Sequence, residues 1–139
     1  MKINFLRILF VMLFVSSALF FTGCKKNDIL VTPPTPAAPK PPTVTVTDAA
    51  GAITSTTATS GGTVSSNGGS ALTATGVCWS SSTIQPTIAD NSTNEGTLTG
   101  SFVSNLNGLT PNTLYYAKAY ATNSSGTTYG PRISFTTLP

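Results

Sequence analysis

The sequence predicts an all-β sandwich that follows a targeting segment and a proline-rich tether. After about residue 43 the chain is dense in Thr, Ser, Gly and Ala, and no stretch there has the apolar periodicity of a helix. Short β-prone runs alternate with Gly, Asn and Pro turn signals. Residues 109–123 alternate with a period of two, which is typical of a strand with one buried and one exposed face.

Residues 1–23 have the features of a signal peptide. Lys2 and Arg7 supply positive charge, and the apolar run 8–21 is as long as a secretory core but shorter than the ~20 residues of a spanning helix. The run ends in Phe-Thr-Gly-Cys24, which resembles the bacterial lipobox. That resemblance implies that Cys24 receives palmitate-type acyl chains and becomes the first residue of the mature protein. The alternatives are an ordinary signal peptide with an incidental cysteine, or an uncleaved anchor.

Residues 24–42 form the predicted lipidated cysteine and tether. The segment 25–42 holds six of the chain's ten prolines and therefore favours polyproline II, at ~3.1 Å per residue. Such a tether would hold a domain up to roughly 50 Å from a bilayer. A merely disordered linker is the alternative interpretation.

Residues 43–139 match the ~100 residues of a sandwich domain, and we predict that they form it. The predicted turns are 48–52 and 67–70, and 123–127 is a predicted hairpin loop. Seven short strands are predicted: 43–47, 56–66, 72–80, at most a short edge strand within the irregular segment 81–96, 97–106, the strand that starts at Thr113 within 109–123, and 128–137, where Ile133 and Phe135 face inward.

The second half of this region, 100–137, resembles a fibronectin type III domain. Leu109 and Pro111 close a corner, and Tyr115 follows the proline by four residues, as in the tyrosine corner of β-sandwiches. Residues 61–80 resemble the first half of the domain in a form found on surface lipoproteins of Bacteroidetes-type bacteria. The resemblance implies a seven-stranded immunoglobulin-like sandwich whose corner tyrosine bonds to upstream backbone.

The chain departs from that family in lacking a tryptophan on its second strand. We expect Trp79, on the third strand, to supply the large core aromatic side chain instead. Small residues in phase on the second strand, Ala58, Gly62 and Val64, would leave room for it.

Composition argues against most catalytic and metal chemistry. The sequence contains no histidine, which excludes His-dependent triads and most transition-metal sites. Asp48, Asp90 and Glu95 lack the spacing of a calcium loop or a glycosidase pair, and a solvated polar loop is expected instead. Cys78 lies in mid-strand without a base, which favours a small buried side chain over a nucleophile. We therefore predict no enzymatic activity, no cofactor, no metal and no intrachain disulfide.

The exposed face of the strand after Thr113 is the candidate partner-binding surface. Tyr116 and Tyr120 flank Lys118, and Tyr129 lies near them on the last strand. Such a row can stack on sugars or enter a protein interface, or it can only stabilise the sheet by cross-strand pairing. Basic residues do not cluster in this region, so no nucleic-acid partner is expected.

These features predict a membrane-anchored, non-enzymatic β-sandwich module for adhesion, protein–protein interaction or spacing at the bacterial cell envelope. The alternative is a carbohydrate-binding module that uses the tyrosine face, and the protein or glycan partner is left unnamed. Lys25, rather than Asp, follows Cys24, and we expect the outer membrane, with periplasmic or surface facing left open.

Overall fold

The computed structural model describes residues 35–139. The signal-peptide and lipidation predictions, at residues 1–23 and Cys24, lie outside the described residues. Within 35–139 no helix is long and apolar enough to cross a membrane.

The described chain folds into two antiparallel sheets that pack face to face. Sheet I has the strand order β1-β2-β5, and sheet II has the order β4-β3-β6-β7, with β8 also paired to β6. The strands are β1 Thr43–Gly51, β2 Thr57–Ser66, β3 Leu72–Ser80, β4 Asn91–Ser92, β5 Gly100–Asn107, β6 Leu114–Asn123, β7 Gly126–Tyr129 and β8 Ile133–Thr136. The all-β sandwich that the sequence predicts is thereby confirmed.

Two strands differ from the predicted ones in an informative way. The first continues into the predicted turn 48–52 and ends at Gly51, because Asp48 pairs with Gly61 and Gly51 with Thr59, with one register shift between the two pairs. The predicted last strand is broken into β7 and β8 around Gly130 and Pro131, which is why eight segments are present rather than seven. Proline has no amide hydrogen to donate to a ladder, so a break at this point is expected.

The inner faces of both sheets form one apolar core. Trp79 is 8% exposed and belongs to this core together with Ala58 and Val64 of β2. Gly62 is buried beside Ala119, Val46 and Phe102. Tyr115 and Phe135, also in this core, stack with ring centroids 5.8 Å apart.

The corner before β6 ties the two sheets together. The backbone amide of Thr110 donates a hydrogen bond of 2.9 Å to the hydroxyl of Tyr115, which is the upstream backbone contact implied by the family resemblance. Leu109 is 4% exposed, and its amide donates to the carbonyl of Thr56 at 2.9 Å. The corner thus positions the start of β6 against the start of β2.

The chain enters the domain at one end and reaches its last residues at the other. At the entry end the amide of Lys40 donates to the carbonyl of Gly68 at 2.8 Å, and Asn123 Nδ2 donates to the Lys40 carbonyl at 2.7 Å. At the opposite end the amide of Leu138 donates to the Thr54 carbonyl at 3.0 Å. The strand β2 runs between these two ends, so they lie about 30 Å apart. The folded unit therefore already includes Lys40, within the predicted tether.

Candidate functional site

The candidate surface is the outer face of sheet II. Cross-strand register places Gly76 and Tyr129 on either side of Tyr120, and Cys78 opposite Lys118. Tyr116, two residues before Lys118 on β6, lies opposite Ser80. The structure thus brings the four predicted partner-binding residues, Tyr116, Lys118, Tyr120 and Tyr129, onto one face. The interpretation of this face as a partner-binding site stays a prediction.

The alternation predicts that Tyr120 is exposed, but in the structure it is buried. Its side chain is 4% exposed, and its hydroxyl donates a hydrogen bond of 2.6 Å to the carbonyl of Thr93. The opposite residue on β3 is Gly76, where a Cβ would collide with that same carbonyl oxygen. Because glycine leaves this space open, the Thr93 carbonyl can approach β3 closely enough to meet the Tyr120 hydroxyl. Burial raises the pKa of Tyr120.

The cover over this face is the segment that joins β3 to β5, residues 81–99, which we call the strap. Arg132 Nη1 donates to the carbonyl of Ile84 at 3.2 Å, and Lys118 Nζ donates to Gln85 Oε1 at 3.3 Å. The amide of Ile88 donates to the Tyr129 hydroxyl at 3.3 Å. Three residues of the outer face therefore hold three successive parts of the strap.

The strap is also fixed from within. Asp90 Oδ2 accepts hydrogen bonds from the amide of Thr87 at 2.9 Å and from its hydroxyl at 3.3 Å, closing a turn. Pro86, next to this turn, is among the most buried side chains of the domain. The segment around Asp90, predicted to be a solvated loop, thus has a defined conformation over the sheet. The Asp90 carboxylate stabilises this conformation.

Two cations lie over the tyrosine rings that remain partly exposed. Lys118 Nζ is 4.7 Å from the ring centroid of Tyr129, and Arg132 Cζ is 5.2 Å from that of Tyr116. Such contacts are worth about 0.5–1 kcal/mol at exposed sites. One face of each ring is therefore already occupied by a side chain of this domain, which limits its use as a stacking platform.

Thr93 is the residue of this region that sequence reasoning missed. Its amide donates to the Val77 carbonyl at 2.9 Å, while its hydroxyl donates to the buried Ser104 hydroxyl of β5 at 2.9 Å. Thr93 therefore joins the edge of sheet II to sheet I and also presents its carbonyl to Tyr120. The surrounding sequence is polar and carries no apolar alternation, so no local signal distinguishes it.

Cys78 lies beneath this cover and is fully buried, as predicted. Burial raises the pKa of its thiol from 9.0 to about 11, and Sγ donates to the carbonyl of Lys118 at 3.4 Å. The thiol is therefore protonated at neutral pH, and a protonated thiol is a poor nucleophile. Within residues 35–139 no group of three Cys, Asp or Glu side chains is placed to hold a metal ion, and no pocket is present.

Solved structures with the same architecture identify the fold. The FN1-FN3 domains of chicken CNTN1 match with a TM-score of 0.51 and 20% identity over 73% of this chain, which spans 33% of that structure. A myokine structure matches with a TM-score of 0.50 and 14% identity, over 73% of this chain and 100% of the other. The sensor domain of the anti-sigma factor RsgI4 from Pseudobacteroides cellulosolvens matches with a TM-score of 0.48 and 20% identity, over 71% and 96% of the two chains.

Comparisons of sequence identify no further related protein. No family model matches the chain, and no curated protein sequence matches it. The likeness to the structures with TM-scores of 0.51 and 0.50 therefore defines a fibronectin type III-like sandwich at the level of fold.

Proposed function

We propose that this chain is a lipid-anchored, non-enzymatic spacer that holds a fibronectin type III-like sandwich away from a bacterial envelope membrane. The observation that carries the proposal is that Lys40 and Leu138 lie at opposite ends of the domain. Lys40 is bound at the end formed by Gly68 and Asn123, and Leu138 is bound at the opposite end, beside Thr54. The sandwich therefore adds its full length to the distance between the tether and Leu138.

The lengths involved suit a spacer. The sandwich contributes about 30 Å, since β2 has ten residues at ~3.3 Å each. The tether before Lys40 contributes up to roughly 50 Å if it follows polyproline II. Because Lys40 is hydrogen-bonded to the domain, the tether meets the sandwich at a fixed point rather than through a loose joint.

The anchor in this proposal is the acylated Cys24. Each buried methylene of an acyl chain contributes about 0.8 kcal/mol, and stable anchoring needs more than one chain. The lipobox-like sequence before Cys24 supplies the site for such modification. We propose the outer membrane as its location, because Lys25 rather than Asp follows Cys24, and we leave periplasmic or surface facing open.

Three potentially reactive groups of the domain are committed to structural contacts or buried, which supports a non-enzymatic role. The Asp90 carboxylate closes a turn, the Tyr120 hydroxyl bonds to Thr93, and burial keeps the Cys78 thiol protonated. None of these three groups is presented to a substrate.

The anchor is tested by metabolic labelling of the full-length chain with an alkyne-tagged fatty acid. We expect the label and membrane association to be lost together in Cys24→Ser and to be unchanged in the control Cys78→Ser. Retention of the label by Cys24→Ser would overturn the lipidation proposal. Membrane association of an unlabelled Cys24→Ser chain would point to the uncleaved anchor instead.

Protease treatment of intact cells tests whether the domain faces the cell surface or the periplasm. Cleavage within the tether before Lys40 supports display at the cell surface and a role in adhesion. Protection until the outer membrane is opened restricts the spacer to the periplasm and contradicts adhesion.

The geometry gives less support to the carbohydrate-binding alternative. Tyr120 is buried, and cations cover one face of the Tyr116 and Tyr129 rings. Specific binding on a glycan array that is lost in Tyr116→Ala would restore that alternative.

A further inference from the structure

The sheet edges of the described domain differ in how well they are protected from other strands. Proteins usually block such edges with prolines, charges, bulges or very short strands. The β1 edge follows Pro41 and Pro42 and contains three register shifts. The β4 edge has two residues, and the edge of β7 and β8 is broken around Pro131. Within residues 35–139, β5 is the remaining edge.

The edge strand β5 carries none of these protective features. It pairs with β2 over eight consecutive positions without a register shift, and it contains neither a charge nor a proline. Its length of eight residues is enough for a regular ladder. A second strand of similar length can therefore pair along it without removing an obstacle.

The outer face of β5 has one large apolar side chain without cover. Val103 is 70% exposed, the highest value among the large apolar residues of residues 35–139. Its cross-strand partner on β2 is Gly61, which has no side chain to lie against it. On the free side of β5 a strand that brings an apolar residue opposite Val103 would bury this surface.

We propose that the β5 edge pairs with β5 of a second copy of this chain, antiparallel about a two-fold axis at Val103. This arrangement joins the two three-stranded sheets into one sheet of six strands. On the exposed face of β5 it places Val103 against its own counterpart and Ser101 against Asn105 of the second copy, so that on this face apolar meets apolar and polar meets polar. A slip of two residues in either direction would place Val103 opposite a polar side chain.

A second copy is the occupant that fits this edge for two reasons. Antiparallel pairing of identical strands is closed by a two-fold axis, which is the commonest symmetry of protein dimers. No like charges meet in this arrangement, because the strand is uncharged. The proposed lipid anchor adds to this by concentrating copies on one surface, and in this respect alone the inference rests on the proposed function.

Cysteine cross-linking in the full-length chain tests the axis. Val103→Cys puts two thiols directly opposite each other, at a separation that a disulfide can bridge. The native Cys78 is fully buried and does not compete. We expect disulfide dimers of Val103→Cys in membranes to form about tenfold faster or more than those of the control Leu114→Cys, which is 46% exposed on a central strand. Equal rates for the two variants would overturn the proposal.

The register is tested with single variants mixed in one membrane. Ser101→Cys and Asn105→Cys should cross-link to each other when coexpressed, and each should cross-link slowly when expressed alone. Cross-linking of the mixture no faster than of either variant alone would contradict the Val103 axis.

The same variants in a Cys24→Ser background, solubilised in detergent, separate this inference from the anchor. Selective Val103→Cys dimers in that background support β5 pairing whatever the state of Cys24. Absence of acylation from the chain with Cys24 intact, with selective cross-linking retained, contradicts only the proposed anchor. Loss of selective cross-linking in both backgrounds contradicts only the pairing.

Discussion

The hydroxyl of Thr47, on β1 of sheet I, accepts a hydrogen bond of 2.9 Å from the backbone amide of Ala119, on the central strand of sheet II. The Ala119 carbonyl accepts from the amide of Gly130, at the break between β7 and β8. Thr47 approaches closely at this point, and a Cβ on Gly130 would lie 2.7 Å from its Oγ1. A side chain of one sheet thus completes the backbone hydrogen bonding of the other where the ladder is interrupted.

Replacement of Thr47 by valine should therefore destabilise the domain through an unpaired buried amide. We expect the free energy of unfolding to fall by about 1–3 kcal/mol, the cost of leaving a buried donor without an acceptor. Urea unfolding measures this directly. Thr45→Val is the matched control, since Thr45 is exposed on the same strand, and it should change stability by less than about 0.5 kcal/mol. An equal effect of both substitutions would contradict a special role for the Thr47–Ala119 bond.

Removal of the Tyr120 hydroxyl should loosen the strap. Tyr120→Phe deletes the bond to the Thr93 carbonyl, and we expect a loss of about 0.5–1.5 kcal/mol. Faster amide exchange at Thr93 and Glu95, which bond to β3, would accompany it. Tyr116→Phe, on the same face but only half-buried, should change neither quantity. Unchanged exchange in Tyr120→Phe would show that other contacts suffice to hold the strap.

Stability should fall in alkaline solution. Burial raises the pKa of Cys78 from 9.0 to about 11, and it also raises the pKa of Tyr120. Because the unfolded chain releases these protons at lower pH than the folded chain, the free energy of unfolding decreases as pH rises above 9.0 toward about 11. For Cys78 the full loss is roughly 3 kcal/mol. Urea titrations at several pH values should give a flatter profile for Cys78→Ala, and an unaltered slope would refute this assignment.

Truncation of Trp79 tests the interpretation that it is the principal core aromatic residue. Trp79→Ala should cost about 3–5 kcal/mol, as for other large aromatic truncations in cores. Leu98→Ala is a suitable control because Leu98 is 51% exposed, and it should have little effect. A fully stable Trp79→Ala domain would contradict the interpretation that small β2 residues make room for this side chain in the core.

Strict alternation was the most reliable signal in the sequence. It predicts β6 closely, and the third strand, 72–80, agrees with β3 at both ends. The first strand is longer than predicted because Asp-Ala-Ala-Gly at 48–51 has the composition of a turn, while its pairing with β2 depends on distant partners. Local composition contains no information about such pairing.

The candidate face shows the same limit. Alternation correctly places Tyr116, Lys118 and Tyr120 on one side of β6, yet Tyr120 is buried by a segment that lies 27 positions earlier at its point of contact, Thr93. The period of a strand determines which side chains share a face. It does not determine what crosses that face, because this depends on bonds such as Thr93 to Ser104 that no local pattern encodes.

The placement of Lys40 and Leu138 at opposite ends of the sandwich has a mechanical consequence. Tension applied through the two ends runs along the strands, whereas the hydrogen bonds of antiparallel ladders run across them. The ladders between β1 and β2 and between β6 and β8 are then loaded in shear, so many bonds share the force at once. Since β1 and β8 belong to different sheets, the load passes between them through the packed core and through the Thr47–Ala119 bond. The fold is therefore suited to resist being pulled apart along the axis on which a tethered spacer would be stretched.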